Sequence, residues 1–561
     1  MKTGYIVFTA IALLAMSAKA QEKYFQVNNE IYPCAVSVSE FGAAAYNDSA
    51  KYLSIDYKDG HCVWTTDVIG NIDVTESPCE NLFSSTADWA VLANNKVSEL
   101  VPVVEIVPKD KNDPEYEDFI ENYVRACKVT VTYSGNKASV TVVPSDYGVV
   151  KSVKGADVVL SINDKKVQVI ASGSSDNGSL KIYSENKFRL DLDNLTLTSP
   201  TGPAINIQSG KRAYLNLPDG SANTLKSGDT FAKQLGPDGV EEDAKATLFS
   251  EGQLIFSGSG SLAVSNSANH GICSDDYIRF RSSLGNVTIS SSKDGIHTNK
   301  CFRMYGGTLS VEAGDNGVQV EKGDASFYGG ICSVSSTNHG IYVKSDSLPV
   351  GYVKVSGKMN LFVSSKESSA VFCKYGFYAD GGFVLLQSRG LGGRGIRSNA
   401  DIVLNNCLVA TELMDSKPGW NAGTVNYTQP SGLRAAGSIM LDNALLGCYL
   451  TGDTRDAKVL NADSSLVISN SIVNIDACQE DFDADGGIVK SKAVEGHDIV
   501  IDDKSLVYIK AGKRAISSET NIDINNSVVK MTSGFSWDGL MKSEGSIACK
   551  GAVFYNKLIT E

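Results

Sequence analysis

Four short motifs recur along the middle of the chain, each a polar residue, a glycine and an aliphatic residue: His270-Gly271-Ile272, Asp294-Gly295-Ile296, Asn316-Gly317-Val318 and His339-Gly340-Ile341. Their glycines are 24, 22 and 23 residues apart. A fixed period marks a repeat architecture. This one is too short for a pair of helices and suits three short strands with turns between them. Looser copies start at Arg394-Gly395-Ile396, Gly487-Ile488 and Asp538-Gly539-Leu540. Between the motifs, apolar residues alternate with polar ones, as at Phe302 and Met304 followed by Leu309 and Val311, or Ala325 and Phe327 followed by Cys332 and Val334. Alternation at period two describes a strand with one face inward. A single coil cannot cover its own apolar face, whereas stacked coils share one core. The recurrent glycines are expected at turns with positive φ. The expected fold is therefore all-β, a parallel β-helix of about 22–25 residues per coil, over residues 151–561.

Residues 21–150 read as a small, β-rich N-terminal domain. Residues 128–133 and 138–143 form a hairpin pattern around Ser134-Gly135-Asn136-Lys137. Residues 110–121 are acidic and contain Pro114, the pattern of a linker or a short helix. Segments 218–246 and 412–431 break the period and are expected to be loops leaving the coil. Residues 1–20 read as an export signal: Lys2, an apolar run over 5–16, then Ala18-Lys19-Ala20. That run is too short for a membrane span. The expected location is secreted, periplasmic or on the cell surface.

Charge excludes one class of partner. The chain carries 51 basic and 64 acidic residues, a net −13, and loss of Lys2 and Lys19 takes it to −15. Such a chain does not attract nucleic acid electrostatically but does attract cations. Only 5 histidines argue against a histidine-rich transition-metal site. Of 12 cysteines, Cys34, Cys62, Cys79 and Cys127 precede the repeats and suffice for two disulfides in an exported chain. The other eight fall mostly in strand patterns and read as buried thiols.

Aligned strands sit about 4.8 Å apart, so like positions form columns. Before the recurrent glycine run Asn269, Lys293, Asp315, Asn338 and, beside them, His270, Asp294, Asn316, His339. After the strand come Asp275, Asn299, Glu321, Lys344 and Asp276, Lys300, Lys322, Ser345. Oxygens at this spacing suit calcium, which makes Asp275, Asp276, Asp294, Asp315 and Glu321 the candidate metal ligands. Ordinary turn chemistry and salt bridging along a column are the alternatives. Asp294 and Asn299 are about 16 Å apart along an extended strand, which separates the two clusters. A third column, Arg279, Arg303, Ser326, Lys354, faces outward beside Arg281, Tyr305, Tyr328, Ser356. Guanidinium groups grip carboxylates, and a sugar ring can lie on tyrosine, so Arg279, Arg281, Arg303, Tyr305, Tyr328 and Lys354 are the candidate ligand-binding residues. Arginine and tyrosine also decorate many exposed strands, and no catalytic residue is assigned.

The run Phe188-Arg-Leu-Asp-Leu-Asp-Asn-Leu-Thr-Leu197, then Ala204-Ile-Asn-Ile207, Leu215-Asn-Leu-Pro-Asp-Gly-Ser-Ala-Asn-Thr-Leu225 and Gly258-Ser-Gly-Ser-Leu262, leads into the first motifs. In this order it resembles the secreted carbohydrate-binding β-helix family of cellulose-degrading clostridia. The resemblance implies a right-handed parallel β-helix similar in fold to pectate lyases, a plant-type or acidic polysaccharide as partner, bound calcium, and binding without catalysis. The chain departs from the family's repeated Asp-Gly at His270, Asn316 and His339. A calcium-dependent polysaccharide lyase, with Lys300 or Lys322 as base, is the alternative. A cell-surface adhesin is the second alternative.

Overall fold

The structure is a computed structural model describing residues 24–557, apart from 76–85, 346–348, 417–418, 421–426, 478–490, 534–539, positions 453 and 455, and short connections within 30–68. For residues 24–74 it describes the backbone alone. The export-signal segment, the repeat starts at 487–488 and 538–539, and the side chains of Cys34, Cys62 and Cys79 lie outside the described residues. The chain divides into two units, Leu100–Gln387, and Met1–Glu99 together with Ser388–Glu561.

The unit Leu100–Gln387 is a parallel β-solenoid with three strands in its typical coil. On its first face, His270–Ser274, Ile296–Thr298, Val318–Val320 and Ile341–Val343 pair in parallel and in register. Ile272, Ile296, Val318 and Ile341 point inward, and all are buried. The second face carries Ile278–Phe280 and Phe302–Met304, the third Asn286–Ser291 and Thr308–Ala313. Inside, Phe256, Phe280, Phe302 and Phe327 touch in succession, with ring centres 4.9, 5.4 and 5.6 Å apart. The period in the sequence thus becomes a continuous core, because each coil covers the apolar edge of the one before.

The motif glycines stack as the repeat requires, but for another reason than turn geometry. None of the four has positive φ. A Cβ on Gly295 would lie 2.2 Å from Val311 Cγ1 and 2.8 Å from the Gly317 carbonyl oxygen. One on Gly317 would lie 2.1 Å from Val334 Cγ1 and 2.5 Å from the Gly340 oxygen. The first face therefore approaches the third too closely for any side chain at this position. Positive φ belongs instead to Gly307 and Gly330, at 81° and 90°. In the other unit, Asn406, Asn443, Asn470 and Asn526 adopt left-handed backbone at φ of 44–49°. Asparagine tolerates this conformation through local side-chain hydrogen bonds.

Antiparallel strands cover solenoid ends in each unit. Cys127–Ser134, in the region read from sequence as N-terminal domain, pairs in parallel with Val167–Ser175 as part of the stack. Its hairpin partner Lys137–Val143 and the strand Val149–Lys154 run antiparallel. In the other unit, Gly60–Thr65 pairs antiparallel with Ile547–Lys557. Such pairing occupies backbone edges that would otherwise recruit another chain. Cys127 is a free, buried thiol, so two bridges among the four early cysteines do not form. Cys332 and Cys448 are likewise free and buried, and burial pushes each thiol up to about 12. Among the described residues, no helix is long and apolar enough to cross a membrane.

Candidate functional site

The predicted basic column exists: Arg279, Arg303, Ser326 and Lys354 pair in register on the second face. Arg279 of this column and Arg281 beside it do not face solvent. Residues 100–126 run as a strap over them, and the acidic segment read as a linker supplies the contacts. Arg279, 0% exposed, donates to Glu105 at 2.8 Å and to Asp118 at 2.8 Å, and lies 3.2 Å from Glu115. Arg281 donates to Glu105 at 2.7 Å and to Glu121 at 3.0 Å. Phe119 lies beneath both guanidinium groups, and Tyr305 lies 4.5 Å from that of Arg279. The expectation that Arg279 and Arg281 stand free for a sugar carboxylate is thus corrected: carboxylates of this chain occupy them. Arg303 is more open and lies 3.5 Å from Glu115, Tyr305 and Tyr328 stack 4.7 Å apart, and Lys354 pairs with Asp324 at 2.7 Å.

Burial would raise the Glu105 carboxyl, but the Ser282 amide and then Arg281 and Arg279 outweigh it and hold the carboxyl below its ordinary value. A lowered folded value means that this stabilisation is complete above the unfolded value and is lost as pH falls through the folded one. The urea midpoint should therefore drop below about pH 4, the ordinary carboxylate range. Urea titrations of the wild type and Glu105→Gln across this range test it: the acid-side slope should be shallower in the variant, and equal slopes would exclude Glu105 as a cause.

The five predicted metal ligands separate into different environments. Asp275 faces Lys245 at 3.1 Å and Asn299 at 3.1 Å. Asp276 takes Lys300 at 2.9 Å and also accepts from Gln253. Asp315 accepts from Asn338 at 2.6 Å, and Glu321 takes Lys344 at 2.9 Å. Calcium takes six to eight oxygens. These carboxylates are matched one by one to lysines and amides, so the donor set does not fit that ion.

Asp294 is different. On the first face, side chains accept from the backbone of the next coil: the Asp294 amide donates to His270 Nδ1 at 3.2 Å, the Asn316 amide to Asp294 Oδ1 at 3.1 Å, and the His339 amide to Asn316 Oδ1 at 3.1 Å. The positions of His270, Asp294 and Asn316 need an acceptor, which explains those residue types before the glycine, whereas His339 Nδ1 faces the Ser369 carbonyl oxygen at 3.4 Å. Asp294 Oδ2 lies 2.8 Å from His297 Nδ1 and 3.2 Å from His270 Nδ1. Burial would raise this carboxyl, but hydrogen bonds and charge from His270 and His297 hold it well below the carboxylate range.

A second column escaped the sequence reading: Cys273, His297, Gln319 and Tyr342, two residues past the four glycines, continued by Phe372, two past Ala370. It joins the two clusters that strand length alone had separated. Asn316 donates to Gln319 at 2.8 Å, Gln319 to Glu321 at 2.5 Å, and Lys344 to Glu321 at 2.9 Å. Tyr342 and Phe372 stack at 5.3 Å and 17°, with His339 4.7 Å from Tyr342. His270, Asp294, His297, Asn316, Gln319, His339, Tyr342 and Lys344 line a groove of ≈ 700 Å³, with Lys293, Asp315 and Asn338 also on its walls. The missed signal was the run of ring and amide side chains at the position two residues after the repeated glycine.

No curated protein matches the chain in sequence. A solved structure, described as the polysaccharide lyase-like protein from C. thermocellum in a gadolinium derivative, is 16% identical. The match covers 58% of this chain and 97% of that one, with a TM-score of 0.34. The family described as carbohydrate-binding domain-containing protein matches residues 156–492, more than half of the chain. With the stacked coils and the polar, ring-lined groove lying inside that stretch, the chain belongs to the family of carbohydrate-binding domain-containing proteins.

Proposed function

We propose that this chain is an exported, non-catalytic binder of a plant-type or acidic polysaccharide, and that the polymer lies along the groove of the first face. The observation that carries the reading is the stacked Tyr342–Phe372 platform beside the Lys344–Glu321 pair. The apolar face of a sugar ring covers an aromatic ring, while hydroxyl or carboxylate groups reach the flanking polar side chains. Because coils repeat along the face, neighbouring sugars meet neighbouring coils. Export is supported by the pattern of residues 1–20.

Gel retardation against a panel of neutral and acidic polysaccharides tests the reading. Tyr342→Ala should weaken retention about tenfold, the equivalent of about 1.4 kcal/mol, with little change in thermal unfolding. Retention equal to wild type would remove the groove as the binding surface. Appearance of unsaturated sugar, read as ultraviolet absorbance, would replace the binder with a lyase.

A further inference from the structure

Three of the chain's 5 histidines, His270, His297 and His339, line one groove from the first, second and fourth of four successive coils. His270, Asp294 and His297 each offer a donor atom within 4.8 Å of the other two. The imidazole rings are 4.7 Å apart, and their Nδ1 atoms flank a single carboxylate oxygen of Asp294. The other oxygen is held by the amide and the side chain of Asn316, both at 3.1 Å, which fixes the orientation of the carboxylate. Glu321 Oε1 lies 3.7 Å from His297 Nε2 and brings a further carboxylate to the same place.

The Asp294 side chain is 2% exposed, and among the described residues its ion-pair partners are His270 and His297. A divalent cation at this position would compensate that buried carboxylate.

We infer that His270, Asp294 and His297 form a binding site for a late first-row divalent metal ion of the zinc class. Two imidazoles and one carboxylate are a nitrogen-rich set, which such ions prefer and calcium does not. Three protein ligands leave a coordination position open toward the groove. There a sugar hydroxyl or carboxylate can complete the shell, so the metal would link the protein to the polymer. The metal site itself stands on the side-chain cluster and does not depend on the polysaccharide reading.

The test uses the full chain, stripped with chelator, and Co2+ and Zn2+ as probes without any sugar. One Co2+ per chain should bind, with visible absorption of low-symmetry coordination that Zn2+ abolishes and millimolar calcium does not. Zn2+ should also raise the thermal midpoint, since a ligand bound to the folded state stabilises it. His270→Ala with His297→Ala should weaken binding by more than the about 10–100-fold that loss of an outer-sphere partner costs. His297→Gln alone keeps a hydrogen-bonding side chain and separates loss of metal from loss of fold. His497→Ala, at an exposed position, should bind as wild type. Absence of Co2+ uptake, or uptake unchanged in the double variant, would overturn the site. Sugar retention lost in Tyr342→Ala with metal uptake intact would leave both readings standing, each on its own measurement.

Discussion

Replacing Arg279 with alanine should destabilise the unit Leu100–Gln387 by up to about 3 kcal/mol, less than for a wholly unpaired buried charge, because Glu105 keeps Arg281 and Asp118 keeps Arg212. Three observations set the direction. The Arg279 side chain is 0% exposed, and the Glu105 and Asp118 carboxylates it bridges are 2% and 5% exposed. Both would remain buried after truncation. The guanidinium also lies over Phe119 and Tyr305, so the substitution removes packing as well as charge. The readout is a urea unfolding curve of the full chain, with proteolysis between residues 100 and 126 as a local probe. The midpoint should fall, and cleavage in the strap should appear at urea concentrations where the wild type is intact. Arg303→Ala, at a side chain that is 37% exposed, should cost under about 1 kcal/mol, as exposed pairs do. If the two variants unfold alike, the strap is not held by the buried ion cluster.

Gly317→Ala should cost about 1–3 kcal/mol, the range for overpacking a closed interior. The added methyl would meet Val334 Cγ1 at 2.1 Å on the third face and the Gly340 oxygen at 2.5 Å in the next coil. Neither can retreat without moving a strand that is paired on both sides. Gly317→Ala with Val334→Ala gives the discriminating measurement. Removing the Val334 methyls opens the space the new methyl needs, so the two changes together should destabilise less than their sum. Strict additivity would show that the glycine serves something other than this close approach. The contrast with Gly307 is instructive. There φ is 81°, and alanine would be strained by its own backbone whatever the surroundings.

The repeat was legible in the sequence because a solenoid writes its fold locally. Phe302, Met304, Leu309 and Val311 alternate in the chain as they do in space, and inward and outward follow from counting by two. The stacking of His270, Asp294, Asn316 and His339 followed from the same count. The candidate site was only partly legible. His297, Gln319 and Tyr342 occupy the outward position two after each glycine, and nothing in a single coil marks that position as lining a groove. Their significance comes from contact between coils: His297 meets Asp294 within its own coil but His270 and Gln319 across coils.

The period, the register and the identity of the inward residues were set by the sequence alone, since strand alternation and the 22–24-residue spacing depend on neighbours in the chain. Which outward columns remain open was decided only by the tertiary structure. Residues 105–121 are distant in sequence from Arg279 and Arg281, and no periodicity announces that their carboxylates come to lie on that face. A buried ion cluster depends on long-range closure of the chain, and so does the placing of three histidines, spread over 70 residues of sequence, along one groove.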